Sequence, residues 1–320
     1  MALAVDPQVQ VELAPLLEAL GEIEPPPIGD VETRRVNGHR MFDYVAAQRE
    51  PAEEVEVKHY SLPAADGTLL EAGWYHRPAG KPPGSAALYL HGGGMIFSLE
   101  HIGDMYDVAV REYVASSGVP MLVVDYRVAP EHPHPTPVED CYAALRWLAE
   151  NAPTLGFAPA RLAVMGDSAG GGLAAGVCLM ARDRGGPAIA QQLLIYPMLD
   201  DRTSTPDPQL LPFLTWTYDD NITGWGALLG DSAGTDRVSQ YAAPARADDV
   251  TGLPPTYIDT GDLDIFRDED LTYARRLSDA GVPTELHLHP GCPHAFEALA
   301  SRADVSRRAI NDRLRRLRAL

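Results

Sequence analysis

From residue 86 onward, short apolar runs alternate with longer helical stretches. The runs fall at 86–90, 121–125, 162–165, 192–196, 256–260 and 284–289, and helical periodicity follows at about 101–117, 138–151, 170–183, 267–280 and 303–320. Runs this short and apolar read as strands buried on both faces, and an intervening helix lets successive strands lie parallel. The chain is therefore expected to be an α/β protein with a mostly parallel central sheet and helices on both faces. Ahead of these runs, 55–60 alternates and 69–75 is a second strand, with the turn sequence Ala65-Asp66-Gly67 between them. That pair is expected to form an antiparallel hairpin at one edge.

Two stretches break the alternation. The first fifty residues carry no strand signal. An amphipathic helix is expected at 9–20, Pro25-Pro26-Pro27 forces an extended break, and a second helical stretch follows at about 40–48. Residues 200–231 form the other, with Trp216, Trp225 and prolines at 206, 208 and 212. Loops longer than about 15 residues in a compact domain are usually functional, so this segment reads as part of a lid.

Composition narrows the function classes. With 26 Lys+Arg against 45 Asp+Glu the formal charge is −19. A surface this acidic repels phosphate backbones, which argues against nucleic-acid binding. The only lysines are Lys58 and Lys81, and arginines cluster near the end at 307, 308, 313, 315, 316 and 318. Their helical spacing reads as a solvated helix face. Three cysteines, Cys141, Cys178 and Cys292, form no C-x-x-C pair. An odd, scattered set fits a reducing compartment better than a disulfide framework or a zinc module. The first residues lack a basic, then apolar, leader pattern, and no segment has the ~18 uninterrupted apolar residues of a membrane span. A cytoplasmic protein is expected.

The chemistry gathers at the ends of the predicted strands. Gly166-Asp167-Ser168-Ala169-Gly170 stands where the strand at 162–165 gives way to an Ala/Gly-rich helix. A nucleophilic serine must project from a strained strand-to-helix turn, and its flanking residues must be small enough for strand and helix to approach. The helix N-terminus then lies near a developing oxyanion. His91-Gly92-Gly93-Gly94 follows another strand directly. Three glycines are costly in chain entropy, and they make sense where backbone N–H groups must face a ligand without interference from Cβ. A flexible loop or a phosphate cradle is the competing reading, but no Gly-Lys-Ser/Thr follows, which excludes a Walker-type loop, and neither cluster has the G-x-G-x-x-G spacing of a dinucleotide fingerprint. Asp262 and Asp264 lie after the strand at 256–260, and His294 lies after the strand at 284–289. Open α/β sheets place their sites at these carboxyl ends. The chain order Ser168, Asp264, His294 is that of an α/β-hydrolase triad.

Four blocks now stand in order: His91–Gly94, Asp125-Tyr-Arg-Val-Ala-Pro-Glu131-His-Pro, Gly166–Gly170, and the region from Asp264 to His294. Together they resemble the hormone-sensitive-lipase-like family of α/β-hydrolases, the bacterial family IV esterases, over most of the chain from about residue 50. The resemblance implies Ser168 as nucleophile, His294 as general base and acid, and Asp264 as the group that orients the imidazole. Asp262 competes for that last role, because the block reads Asp264-Ile-Phe-Arg-Asp-Glu where the family usually has D-P-L-R-D-E. Oxyanion donors would be the N–H groups of Gly92, Gly93 and Ala169. Met95, Ile96, Phe97, Asp167 and Trp216 are the candidate substrate-contacting residues. A helical cap would be built from 1–50 and about 200–231, over a catalytic domain spanning 51–320.

The implied activity is hydrolysis of short- to medium-chain acyl esters, with no cofactor and no metal. The substrate would be a small ester, and the resemblance implies a homodimer through the last strand and C-terminal helix. An amidase or peptidase with the same triad, or a non-catalytic receptor on the same fold, are the competing readings. His287 and His289 share a strand face but have no third ligand at matching spacing. Asp125, Arg127 and Glu131 read as a structural ion-pair network beneath the site.

Overall fold

Every apolar run becomes a strand of one eight-stranded sheet. The computed structural model describes residues 3–21, 24–78 and 84–320. The first two residues of the stretch read for a leader, and Lys81, lie outside the described residues. The strands are β1 (Glu56–Pro63), β2 (Leu69–His76), β3 (Ala86–Leu90), β4 (Met121–Val124), β5 (Leu162–Asp167), β6 (Gln191–Ile195), β7 (Thr256–Gly261) and β8 (Thr284–His289). They lie in the order β1-β2-β4-β3-β5-β6-β7-β8. β1 and β2 form the expected antiparallel hairpin, and β2 also runs antiparallel to β4. All other pairs are parallel.

The helices are α1 (Pro7–Leu20), α2 (Val31–Ala46), α3 (Leu99–Ser117), α4 (Thr136–Glu150), α5 (Ala152–Leu155), α6 (Ala169–Arg184), α7 (Tyr218–Leu229), α8 (Arg267–Asp279), α9 (Phe296–Leu299) and α10 (Asp304–Arg318). Strands β3 to β7 are buried along their whole length. Their side chains alternate between two cores. Leu88, Leu122, Val164 and Ile258 pack with α4, α6 and α8. Ala87, Val123, Met165 and Tyr257 pack with α3 and α10. Coverage of both faces is why these strands read as unbroken apolar runs rather than as alternation.

Three expectations need correction. The second N-terminal helix begins at Val31, not near residue 40, because Asp30 caps it by accepting from Thr33 N–H. The C-terminal arginines do not all face solvent. Arg307, Arg308, Arg315 and Arg318 are exposed, but Arg313 is wholly buried against Asp259 and Glu297. Asp125, Arg127 and Glu131 do not form one network. Arg127 pairs with Asp140 and Asp66, Glu131 pairs with Arg35 of α2, and Asp125 accepts from Leu99 N–H at the start of α3.

The two stretches outside the alternation meet each other. Residues 200–231 carry α7, and Arg34 of α2 donates to Asp220 of α7 at 2.8 Å. The same guanidinium donates to the carbonyls of Pro26, Pro27 and Asp30, so it also holds the chain leading into α2. All three cysteines are buried and free. Among the described residues no helix is long and apolar enough to cross a membrane.

Candidate active site

Ser168 occupies a single residue between the end of β5 and the start of α6, with φ 53° and ψ −121°. A non-glycine residue at positive φ is strained, and the strain persists only where neighbours enforce it. Those neighbours are the flanking glycines. A Cβ on Gly166 would lie 2.3 Å from Gly170 O, and one on Gly170 would lie 2.0 Å from Leu90 O. The turn closes because both are absent.

His294 lies in the loop between β8 and α9. Its Nε2 is 2.9 Å from Ser168 Oγ, and its Nδ1 is 2.6 Å from Asp264 Oδ2. Asp264 is fully buried, and its other oxygen accepts from Phe266 N–H at 3.0 Å. Tyr196 and Phe266 stand edge-on to the imidazole at 4.7 and 5.2 Å between ring centres. Thr215 Oγ1 donates to His294 O at 2.7 Å. Asp262 is not at the imidazole. Its carboxylate accepts from Gly291 N–H at 2.6 Å and so braces the loop that carries His294.

The glycine loop after β3 differs from expectation by one residue. Gly92 N–H donates to Tyr106 Oη at 2.7 Å and is unavailable to a ligand. Gly93 and Gly94, at φ 102° and 57°, line the cleft instead. Among the described residues, no hydrogen bond of this loop uses either of their N–H groups. Ala169 is the first residue of α6, directly after Ser168, where a backbone N–H has no partner within the helix.

Above these groups lies a cleft of about 240 Å³ that opens to solvent. Ser168 and His294 reach it from below, Phe97, Trp216 and Leu299 line it, and Gly38, Met41 and Phe42 line it from α2. Of the candidate contacts, Phe97 and Trp216 are there. Met95 and Ile96 are not: both are buried in the two sheet cores, on opposite sides of the loop. Asp167 borders the cleft, but its oxygens accept from Tyr89 Oη at 2.9 Å and Tyr106 Oη at 2.6 Å. Burial pushes the Asp167 carboxyl up to about 6, although the two hydroxyls pull the other way. The α2 wall went unnamed in the sequence, where its only signal is the helical spacing of Gly38, Met41 and Phe42.

Outside the cleft, Glu285, His287 and Asp312 approach one another closely enough to suggest a cation site. Arg315 pairs with both carboxylates and Arg316 lies 3.8 Å from Glu285, so two guanidinium groups already face the two carboxylates.

Residues 87–298 match the family described as the alpha/beta hydrolase fold. The chain belongs to this family, in its hormone-sensitive-lipase-like branch. It is similar to the carboxylesterase NlhH of Mycobacterium tuberculosis, 39% identical over 212 residues. The match spans 65% of this chain and 65% of that protein, just under two thirds of its length. Esterase LipI of the same organism is 38% identical over 241 residues, 73% of this chain and 72% of LipI. Among solved structures, a bacterial heroin esterase superposes with a TM-score of 0.86 at 37% identity, covering 99% of this chain and 98% of that one. These relatives of the α/β-hydrolase chain are ester hydrolases by name.

Proposed function

We propose that this protein is a serine carboxylic ester hydrolase acting on short- to medium-chain acyl esters. The observation that carries the reading is the continuous hydrogen-bonded line Ser168–His294–Asp264 at the floor of an apolar cleft. The names of the relatives support it.

Ser168 Oγ attacks the ester carbonyl while His294 Nε2 takes its proton. Asp264, at Nδ1, keeps the imidazole in the tautomer that leaves Nε2 free to accept, and it stabilises the imidazolium that forms. The carbonyl oxygen becomes an oxyanion facing Gly93, Gly94 and Ala169 N–H, a set whose single members are typically worth about 10²–10³ in kcat. The C–O bond to the alcohol breaks as His294 returns its proton to the leaving oxygen. Water then attacks the acyl-enzyme, again deprotonated by His294, and releases the acid and free Ser168. In this reading 1–50 and 200–231 form a cap, because α2 and the 215–220 segment both line the cleft. Its apolar wall of Phe42, Phe97 and Trp216 suits an acyl chain of limited length.

Replacing Ser168 by Ala tests the reading directly, with a short p-nitrophenyl ester as substrate. Loss of turnover with retained folding is expected, and wild-type-like turnover would overturn it. A series of acyl lengths tests the chain-length part, which expects kcat/KM to fall for long lipid chains. The homodimer belongs to the same reading. β8 is the edge strand opposite β1 and exposes Leu286 and Leu288. Sedimentation velocity should show a dimer that Leu288→Lys weakens.

A further inference from the structure

Gly92, Tyr106 and Asp167 form a one-way chain of hydrogen bonds beneath the cleft. Gly92 N–H donates to Tyr106 Oη at 2.7 Å, and Tyr106 donates its own proton to Asp167 Oδ2 at 2.6 Å. A phenol has one proton to give, so commitment to the carboxylate leaves its lone pairs to accept from the peptide. Tyr89 donates to the second carboxylate oxygen at 2.9 Å and fixes its orientation. All of these groups are buried. The glycine is needed for the approach, because a Cβ at position 92 would lie 2.6 Å from Asp167 Oδ2 and 2.8 Å from Tyr106 Oη.

We propose that Tyr106, held by Asp167, is a positioning residue that sets the glycine loop relative to the nucleophile. The inference rests on the ester-hydrolase reading above and deepens it. The oxyanion donors come from two places, the loop after β3 and the start of α6. Asp167 directly precedes Ser168, and Gly92 directly precedes Gly93. The bridge Gly92–Tyr106–Asp167 therefore ties the two donor sets together through two short bonds. Taking up the Gly92 N–H also fixes the orientation of that peptide, which leaves the next two N–H groups for the cleft. Tyr106 reaches across from α3, so its hydroxyl adds a constraint that the loop's own backbone lacks.

Tyr106→Phe keeps the ring and removes the hydroxyl. With a short p-nitrophenyl ester, kcat should fall about 10- to 100-fold while KM stays within about threefold, the pattern of a misplaced transition-state contact. Labelling of Ser168 by a fluorophosphonate should slow in parallel, since that reaction also builds negative charge on an oxygen facing the loop. Asp167→Asn retains one acceptor oxygen and should lose less than Asp167→Ala. If the groups act as one unit, Tyr106→Phe combined with Asp167→Asn should be no worse than Tyr106→Phe alone. Wild-type kcat in folded Tyr106→Phe, a change confined to KM, or multiplicative losses in the double variant would overturn the proposal. Should Tyr106→Phe fail to fold, the Asp167 pair decides: equal kcat for Asn and Ala would overturn it. Failure of the broader reading looks different, because Ser168→Ala would then turn over like wild type.

Discussion

Asp264 Oδ2 lies 2.6 Å from His294 Nδ1, while Asp262, two residues earlier, turns away to hold Gly291 N–H. The two carboxylates thus have separate work, and their asparagine variants should separate too. Asp264→Asn would present an amide to Nδ1 and favour the wrong tautomer, so kcat should fall about 10³- to 10⁴-fold with folding intact. Asp262→Asn still accepts from Gly291 N–H through its amide oxygen, and kcat should change by less than about tenfold. Steady-state kinetics on one ester decides, and a reversed order would assign the orienting role to Asp262.

The turn that raises Ser168 depends on backbone contact that no side chain can relieve. At Gly170 an added Cβ would meet Leu90 O at 2.0 Å and His91 O at 2.4 Å, both main-chain atoms of β3 and its loop. Gly170→Ala must push α6 away from β3. We expect a loss of about 2–3 kcal/mol in denaturant unfolding, with activity reduced further because Ser168 moves with the turn. Gly226→Ala is the control: nothing lies within 4 Å of a Cβ there, and in a helix interior the change should be neutral or slightly stabilising.

The strands were legible because burial on both faces leaves an unmistakable mark, a short apolar run closed by Gly, Pro or a polar turn. β3 and β8 fall on the residues that the pattern picks out. Ser168, Asp264 and His294 were legible for a different reason: each stands at the carboxyl end of such a strand. What stayed hidden depends on partners distant in sequence. Three consecutive glycines offer no way to choose which N–H groups are free, and the choice is made by Tyr106, fourteen positions beyond Gly92. Met95 and Ile96 are apolar beside a glycine loop, and only the fold shows that they pack inward while Phe97 alone reaches the cleft. Arg313 shares the helical spacing of its exposed neighbours, yet its partner Asp259 lies 54 positions away.

Two buried groups near the site should oppose each other on acidification. His91 stacks on Tyr126 at 4.1 Å, its Nδ1 lies 2.8 Å from Gly92 O, and burial holds its pKa down to about 4 from an ordinary 6.5. Its contribution to stability is complete above pH 6.5 and is lost as pH falls through 4, amounting to about 2 kcal/mol between pH 7 and 5. Asp167 runs the other way. Its pKa is raised to about 6 from 3.8, so its contribution is complete below 3.8 and is lost as pH rises through 6. On going from pH 7 to 5 it returns about 1 kcal/mol. Asp167→Asn removes the opposing part, and its unfolding free energy should fall more steeply than wild type over that interval. Histidine NMR should find the His91 imidazole still neutral at pH 5.

Arg313 joins the back of the sheet to the loop that carries His294. Its Nε and Nη2 donate to the two oxygens of Asp259 on β7 at 2.7 and 2.9 Å, and its Nη1 donates to Glu297 Oε1 on α9 at 2.5 Å. Tyr196, which stands edge-on to His294, donates to the same Glu297 oxygen at 2.6 Å. Removing the guanidinium leaves two buried carboxylates without a counter-charge. Arg313→Met should therefore cost about 3–5 kcal/mol, read by guanidinium chloride unfolding at pH 7. Glu297→Gln should cost less, because its amide oxygen still accepts from Tyr196 and from Arg313, whose charge Asp259 continues to balance. The two variants also differ in where the damage goes. Loss of Arg313 frees both β7 and α9, whereas Glu297→Gln loosens only the α9 side, next to Tyr196. If Arg313→Met unfolded within about 1 kcal/mol of wild type, Asp259 and Glu297 would have to be neutralised in some other way, and the tie between β7 and the His294 loop would carry little of the fold's stability.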